Sequence, residues 1–242
     1  LGVDLRLNRK VKDLDKIFEE GFESILISVG AHEGIRLPIP GANLDGVLIN
    51  THFLKDVRLG HYQDGKGDIP PLGERVLVLG GGNVAIDCAR SAVRLGKEVH
   101  LACLESRDEM PAHDWEIEAA QQEGVHIHPS RTFERVLGNH NDHVQGVECS
   151  QVASFHFDES GNLHLEQEAD SEHVLNCDSV IFSVGQRAGL AFIPDDAGVG
   201  LTHQQTIAVN PNTFATSRPG VFAAGDSVSG TAFVIEAVAN GH

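Results

Sequence analysis

The sequence predicts an α/β fold built on a parallel sheet, and three features of one stretch of the chain support this. Residues 76–79 form a continuous apolar run, which is typical of a strand covered on both faces. After a glycine-rich turn, apolar side chains recur at helical spacing from residue 85 to residue 95. An alternating run over residues 99–104 then indicates a second strand. Together these elements have the length of one strand–helix–strand unit.

The turn between the first strand and the helix has the spacing of a dinucleotide-binding fingerprint. Gly80, Gly82 and Ala85 match the pattern Gly-x-Gly-x-x-Gly/Ala. The first glycine can adopt the backbone angles of a sharp turn, the second lets a pyrophosphate approach the backbone, and the small third residue lets the helix pack close to the strand. The helix N-terminus offers free N–H groups and a partial positive charge to the phosphates. A glycine turn without a ligand is the alternative, but the surrounding strands and helix favour a binding site.

Two carboxylates follow predicted strands at positions typical of contacts with sugar hydroxyls. Glu105 stands at the end of the second strand, close to where such folds hold the adenosine ribose. Gly225 and Asp226 follow a short apolar strand and precede a Ser/Gly loop and a helix at 231–240. This pair could hold ribitol or ribose hydroxyls, or the aspartate could cap a turn, and the pair alone does not decide between the two.

The composition excludes several classes of protein. Lys and Arg number 18 against 35 Asp and Glu, so the formal net charge is −17. Such an acidic chain is not expected to bind nucleic acid or to dock on anionic lipid, since both favour basic groups. The sequence contains no apolar run as long as a membrane-spanning helix, and no signal peptide is visible. We therefore expect a cytoplasmic protein without membrane insertion.

The cysteines, the histidines and the single tryptophan are interpreted as structural. The four cysteines form no Cys-x-x-Cys motif, which argues against a dithiol centre or a metal knuckle and fits a reducing compartment. Cys88 and Cys103 fall on apolar faces and are expected in the core. His126 and His128 could share one face of a strand, but without cysteine or carboxylate partners we predict surface histidines and no metal site. Trp115 is expected to pack as part of an amphipathic helix rather than to stack on a ligand.

Three parts are predicted along the chain. Residues 1–71 contain a helix and a strand and end in a linker, 65–71, that is rich in turn-forming residues. Residues 72–184 hold the glycine turn, and residues 185–242 form the third part. The chain begins with Leu1 rather than Met and ends within a predicted helix, so we expect a segment of a longer protein.

The second half of the middle part has the pattern of an antiparallel meander. Alternating runs cover residues 144–149, 152–157 and 163–168, and the turn at 158–161 is typical of a hairpin. A final apolar strand follows at 179–185. We therefore predict a meander inserted before the last strand of the dinucleotide domain.

Four motifs together resemble the flavoprotein small (beta) subunit of glutamate synthase and its relatives. They lie at residues 80–87, 106–112, 123–125 and 220–226. The resemblance implies a Rossmann-like NAD(P)-binding domain with an antiparallel meander, inserted into a partial FAD-binding domain. It also implies hydride transfer from the nicotinamide to FAD, followed by electron transfer to an iron–sulfur or acceptor subunit. Since the cofactors supply this chemistry, no catalytic acid or base is expected in the segment.

The resemblance also implies which residues contact each cofactor. The pyrophosphate of NAD(H) or NADP(H) would bind at Gly80, Gly81, Gly82, Asn83, Val84 and Ala85. The ribityl–pyrophosphate region of FAD would bind at Gly225 and Asp226. Backbone amides near Ala232 and Phe233 would point at the flavin, and Gly185 and Gln186 would lie near the nicotinamide.

Two departures from the family pattern matter. The N-terminal FAD fingerprint is absent from this chain. We therefore expect FAD to be held by the full-length parent rather than by this segment alone. Leu104 and Glu105 occupy the place where many NADPH-using members carry arginines, and only Arg107 remains there. The Glu105 carboxylate should repel a 2′-phosphate and favour NADH, whereas Arg107 and the alanine at position 85 argue for NADPH. We expect a slight preference for NADH, and a non-catalytic dinucleotide-binding or sensing module is the alternative function.

Overall fold

The computed structural model describes residues 2–64, 71–158 and 163–241, and the chain folds as two units. The central unit is Gly34–Gly185, and the terminal unit combines Leu1–Glu33 with Gln186–His242. Most of the predicted linker (65–70) and most of the predicted hairpin turn (159–161) lie outside the described residues.

The helices and strands of the described residues are numbered in chain order. The helices are α1 (Asp15–Glu19), α2 (Asn50–Arg58), α3 (His61–Asp64), α4 (Asn83–Arg94), α5 (Asp114–Gln122), α6 (Asp226–Ser229) and α7 (Val234–Gly241), with a 3-10 turn at Arg107–Glu109. The strands are β1 (Ile25–Ile27), β2 (Glu33–Gly34), β3 (Val47–Ile49), β4 (Arg75–Leu79), β5 (Glu98–Ala102), β6 (His126–His128), β7 (Arg135–Gly138), β8 (Val144–Cys149), β9 (Val152–Phe157), β10 (Leu163–Gln167), β11 (His173–Asn176), β12 (Ser179–Phe182), β13 (Gln186–Arg187) and β14 (Val221–Ala223).

The central unit is built on a five-stranded parallel sheet in the order β3-β12-β4-β5-β6. Each neighbouring pair runs parallel, and Val76 of β4 is in register with Ser179 of β12 and Val99 of β5. The predicted unit of strand, helix and strand is therefore confirmed, with β4 at the centre of the sheet. β5 ends at Ala102, two residues before the predicted end.

Both faces of β4 are covered, which explains its unbroken apolar run. Val76 and Val78 pack with residues of α4 and α5 in one core, whereas Leu77 and Leu79 pack into a second core with residues of β7 and β8. All four of these side chains are buried, because successive residues of a strand point to opposite faces.

The second face of the sheet is covered by an antiparallel sheet from the part of the chain where the meander was predicted, but the three predicted runs do not form one sheet. Its three strands lie in the order β11-β8-β7, and β9 and β10 form a separate antiparallel hairpin. β7 and β11 were not predicted. They are four residues long and partly exposed, so their alternation is too short to stand out in the sequence.

The boundary of the central unit differs from the predicted one. Residues 34–64 were expected to belong with the N-terminal part of the chain, but β3 joins the parallel sheet through the pair Val47 and Val180 of β12. This strand has three residues and ends where α2 begins, so no turn separates the two elements in the sequence. The cofactors assigned to the three parts remain predictions.

The terminal unit contains a short parallel pair of strands, β1 and β14, with Ile25 opposite Val221. Its core includes Leu14, Ile27 and Ile207. The predicted last helix is present as α7, which begins at Val234 rather than at 231. No helix in the described part of the chain is both long and apolar enough to cross a membrane.

All four cysteines are buried and free, which confirms the core positions predicted for Cys88 and Cys103. Burial raises the thiol pKa in each case.

An ion-pair cluster ties the C-terminal half of α4 to the end of α5. Arg90 donates from Nε and Nη2 to Glu123 Oε1 at 3.0 and 2.6 Å, and Arg94 Nη2 donates to the same oxygen at 2.8 Å. These hydrogen bonds, with that of Arg90 the strongest cause, lower the pKa of Glu123 to about 2. The folded state thus favours the ionised carboxylate, and the resulting stability is lost as the pH falls from the ordinary glutamate pKa toward that of the folded state.

We predict that Glu123→Gln lowers the free energy of unfolding by about 1 kcal/mol at pH 7, because it weakens a charge-assisted pair of contacts. The difference from the parent chain should shrink as the pH falls below about 4.3, where the unfolded carboxylate takes up its proton. Urea denaturation at several pH values measures this. Glu118→Gln, an exposed carboxylate on the same helix, is the matched control. Equal stability of the two variants at pH 7 would contradict the prediction.

Candidate nucleotide-binding site

The first glycine of the turn is required by the fold itself. Gly80 follows β4 directly and has φ +132°, which L side chains rarely adopt. A Cβ at this position would lie 2.2 Å from the backbone oxygen of Ser183. The Gly80 N–H donates to Ala102 O at 2.8 Å, so the turn is held between the ends of the two neighbouring strands.

The second fingerprint glycine has a different environment. Gly82 has φ −87° and ψ 173°, which any residue adopts, and a Cβ at this position would meet nothing within 4 Å. Its carbonyl accepts from the amides of Ala85 and Ile86 at 2.9 and 3.2 Å, which starts α4. The protein's own packing therefore does not need a glycine here, whereas a phosphate approaching the backbone would.

The start of α4 is suited to an anion. The amides of Asn83 and Val84 precede the first hydrogen bonds of the helix, and the described first turn carries no acidic side chain. Asn83 and Val84 are its first two residues, and Ala85 is fully buried against the sheet. The turn and helix start thus bring residues 80–85 together as predicted.

Glu105 lies beside the middle glycine of the turn. A Cβ on Gly81 would come within 2.9 Å of Glu105 Oε2 and 3.0 Å of Cys103 Cβ. The segment is anchored from the next strand connection, because Ser130 N donates to Glu105 O and Arg131 N donates to Cys103 O, both at 2.8 Å. The structure therefore brings the predicted ribose carboxylate to the predicted phosphate turn.

The thiol at this site is unreactive. Burial and, as a smaller cause, the nearby Glu105 carboxylate together raise the pKa of Cys103 to about 12. The thiolate is the nucleophilic form of cysteine, so Cys103 is expected to remain protonated and to take no part in chemistry at neutral pH.

The loop after Glu105 is tied to the turn by two hydrogen bonds that the sequence did not predict. Asn83 Oδ1 accepts from His113 N at 2.9 Å, and Ala112 N donates to Gly81 O at 3.1 Å. Asn83 is predicted to contact the nucleotide, and its side-chain oxygen also positions the loop. The motif at 106–112 marked this loop in the sequence, but it did not indicate a contact between the loop and Asn83.

Arg107, the remaining arginine of this region, has an acidic partner. It opens the 3-10 turn and places Nη1 3.4 Å from Asp114 Oδ1, and Asp114 is 87 % exposed. Ser106 Oγ donates to Glu109 Oε2 at 2.6 Å in the same turn. The charge of Arg107 is thus partly compensated by the protein.

Trp115 does not pack as predicted. It is 63 % exposed, because α5 buries Ile117 and Ala120 on a different face of the helix. Its ring lies nearly parallel to that of His113, with 6.1 Å between centroids and 13° between planes.

The remaining predicted positions lie at the end of β12 or in the terminal unit. Gly185 follows β12 with φ +122°, and Gln186 begins β13. Gly225 (φ +69°) and Asp226 lie at the start of α6, and the Gly225 amide donates to Asn240 Oδ1 at 3.2 Å. Ala232 and Phe233 precede α7. The amide of Phe233 already donates to a protein acceptor, Glu236 Oε2, at 2.8 Å.

The histidines on β5 and β6 form a stacked group. The ring of His100 lies 5.0 Å from that of His126 and 5.1 Å from that of His128, and His100 Nδ1 is 2.8 Å from His128 Nε2. Burial, followed by the charge of His100, lowers the pKa of His128. Within the described ranges, no group of three or more His, Cys, Asp or Glu residues could hold a metal ion.

Comparison with known families and proteins gives a consistent result. A model of the pyridine nucleotide-disulphide oxidoreductase family matches residues 2–241. The NADP(+)-dependent formate dehydrogenase subunit beta of Moorella thermoacetica is 37% identical, covering 100% of this chain and 34% of that protein. The NADPH-Fe(3+) oxidoreductase subunit beta of Geobacter sulfurreducens is 33% identical, with 100% and 39% covered. The glutamate synthase (NADPH) small chain of Escherichia coli is 31% identical, with 100% and 53% covered. These matches confirm the predicted resemblance, and the chain spans about a third to a half of the length of these curated relatives.

Solved structures confirm the fold class. Thioredoxin reductase of T. acidophilum has a TM-score of 0.63 at 22% identity, covering 90% of this chain and 62% of that one. FprA of Mycobacterium tuberculosis in complex with NADPH has a TM-score of 0.70 at 17% identity, with 96% and 64% covered. At these identities the likeness concerns the fold alone.

Because Gly80 and Gly82 have different environments, the same substitution is predicted to affect stability at Gly80 and nucleotide affinity at Gly82. Gly82→Ala should leave the free energy of unfolding within about 0.5 kcal/mol of the parent value, since the added methyl meets no protein atom. It should weaken NADH binding on the order of tenfold, because the methyl occupies the approach of the pyrophosphate.

Gly80→Ala is the matched control and should lower stability by about 1–3 kcal/mol or more, through backbone strain and the contact with Ser183. Urea denaturation and calorimetric titration with NADH measure the two effects. Unchanged NADH affinity in Gly82→Ala would show that the phosphates do not lie over this glycine.

Proposed function

The chain belongs to the pyridine nucleotide-disulphide oxidoreductase family, and we propose that it forms the NAD(P)H-binding domain and part of the FAD-binding domain of a flavoprotein oxidoreductase. The central unit would bind the nicotinamide cofactor, and the terminal unit would contribute to the flavin site. The curated relatives support this, since their names describe NADPH- or NADP(+)-linked oxidoreductases and their subunits.

The observation that carries the proposal is the glycine turn with Glu105 beside it. Gly80 is required by packing, whereas Gly82 leaves open space at a helix N-terminus. A helix start with open backbone and a neighbouring carboxylate offers phosphate and ribose contacts side by side. The residues of this site therefore fit the pyrophosphate and adenosine ribose of a nicotinamide dinucleotide.

The terminal unit fits the flavin less completely. Gly225 has the positive φ of a tight turn, and Asp226 is half-buried at the start of α6, three residues after the end of β14, where a carboxylate could accept from ribityl hydroxyls. The amides of Gly225 and Phe233 already donate within the protein, so those two groups would need to exchange partners to contact a flavin. Asp226 is therefore the residue of this unit that we assign most directly to FAD.

The role of the chain is to bind and position the nicotinamide cofactor. When bound, FAD would accept hydride from the reduced nicotinamide and pass electrons to an iron–sulfur or acceptor subunit. The protein's part is orientation, which the rigid turn, the buried β4 and the anchored loop after Glu105 provide. No side chain of the site is assigned an acid–base role. We place the protein in the cytoplasm, because all four of its cysteines are free.

Two features bear on the choice between NADH and NADPH. The Glu105 carboxylate lies beside Gly81, where it would accept from a free ribose hydroxyl and repel a 2′-phosphate. Arg107 would attract a 2′-phosphate, but Asp114 already pairs with it. The names of the relatives favour NADPH. We propose a slight preference for NADH, because the carboxylate acts at the closer position.

Anaerobic titration of the full-length protein with NADH tests the main proposal. We expect a yellow protein whose visible flavin absorbance is bleached by NADH. A full-length protein that binds NADH but holds no flavin would favour the alternative, a dinucleotide-binding or sensing module without turnover.

For the cofactor choice, we predict that Glu105→Arg shifts the ratio of NADPH to NADH affinity at least about tenfold toward NADPH, since it replaces a repulsive charge with an attractive one. Calorimetric titration of both cofactors measures the ratio. Glu118→Arg makes the same change of charge on the exposed side of α5 and should leave the ratio nearly unchanged. If the parent chain binds NADPH as tightly as NADH or more tightly, the proposed role of Glu105 is wrong.

A further inference from the structure

The one tryptophan of the chain is exposed beside the glycine turn. Trp115 lies in the first turn of α5 with 63 % of its surface accessible, which is unusual for a large aromatic side chain without a partner to cover it. The ring of His113 lies nearly parallel to it, with 6.1 Å between the ring centroids.

Hydrogen bonds fix this aromatic pair relative to the turn. The backbone N–H of His113 donates to Asn83 Oδ1 at 2.9 Å, and the preceding amide, that of Ala112, donates to Gly81 O at 3.1 Å. Trp115 therefore lies two residues beyond a point that contacts the helix start on which the phosphates would rest. Its position depends on the same residues that shape the turn.

We propose that Trp115 stacks on the adenine ring of the bound dinucleotide, with His113 behind it. This assignment rests on the proposed dinucleotide site at residues 80–85. A purine has a flat apolar face, and an exposed indole ring can stack on such a face.

The topology of the sheet favours adenine rather than nicotinamide as the base. The turn follows β4, which lies between β5 and β12. Glu105, the proposed partner of the adenosine ribose, follows β5, and α5, which carries Trp115, connects β5 to β6, the strand beyond it. Gly185, which follows β12, lies on the opposite side, where the nicotinamide end is proposed.

Two half-ligands separate the ends of the dinucleotide in the test. ADP-ribose carries the adenine without the nicotinamide, and reduced nicotinamide mononucleotide carries the nicotinamide without the adenine. We expect Trp115→Ala to weaken ADP-ribose binding about tenfold, since stacking of a base on an aromatic side chain is worth about 1–3 kcal/mol. Trp115→Phe should keep most of the affinity, and the mononucleotide should bind all variants equally.

The emission of the single tryptophan gives a second measurement. ADP-ribose should quench it in the parent chain, and the mononucleotide should not quench it by contact. Phe157→Ala is the matched control, because Phe157 is 61 % exposed and also has one ring partner, Phe155 at 6.2 Å. It should leave ADP-ribose affinity unchanged.

The outcomes distinguish this inference from the proposed function. If Trp115→Ala binds ADP-ribose as well as the parent chain does, the stacking assignment is overturned while the dinucleotide site stands. If the variant loses affinity for the mononucleotide instead, the assignment to adenine is wrong. If the parent chain binds neither ADP-ribose nor NADH, both the site and the stacking are overturned. A urea denaturation midpoint unchanged by the substitution confirms that the variants are folded.

Discussion

The arrangement of the site depends on one close contact at the carboxyl edge of the parallel sheet. β4 lies between β12 and β5, so the chain leaving β4 must turn between the backbone oxygens of Ser183 and Ala102. Only a residue without a Cβ can pass there, and Gly80 does so with φ +132°. This turn directs α4 back across the sheet and leaves its N-terminus at the edge. The open backbone at Gly82, the carboxylate of Glu105 and the loop that leads to α5 are all arranged around that helix start.

The fingerprint therefore contains glycines of two kinds that the sequence pattern does not distinguish. Gly80 is required because a neighbouring carbonyl occupies the space of a side chain, whereas Gly82 has ordinary backbone angles and open space around it. A residue that costs conformational entropy without relieving a clash is best explained by something outside the chain that approaches it. The empty surroundings of Gly82 thus support a ligand more directly than the strained angles of Gly80 do.

The parts of the fold that the sequence predicted are those with long, regular patterns. β4, α4 and the longer antiparallel strands have enough residues for their periodicity to be visible. The turn between β4 and α4 is recognisable because a dinucleotide-binding turn needs particular residues. β3 was not predicted, because its partner, β12, lies more than a hundred residues away and no local feature marks the pairing. The contact of Asn83 with His113 and the exposure of Trp115 were not predicted either. Each depends on how the loop after β5 folds back, and a loop has no periodicity to analyse.

The acidic side chains around the site would repel an anionic ligand, whereas the backbone at the start of α4 would attract it. The chain carries a net charge of −17, yet the proposed ligand is itself an anion. In the sequence, the one arginine of the loop, Arg107, is flanked by Glu105, Asp108, Glu109 and Asp114. Long-range repulsion between the acidic protein and the anionic ligand therefore works against binding. The affinity must come from groups that act at contact distance. Backbone N–H groups at the start of α4 and the helix dipole are such groups, and their effect falls off within the first turn. An acidic protein of this kind can hold a pyrophosphate through its backbone while its side chains disfavour any further phosphate, as the proposed preference for NADH requires.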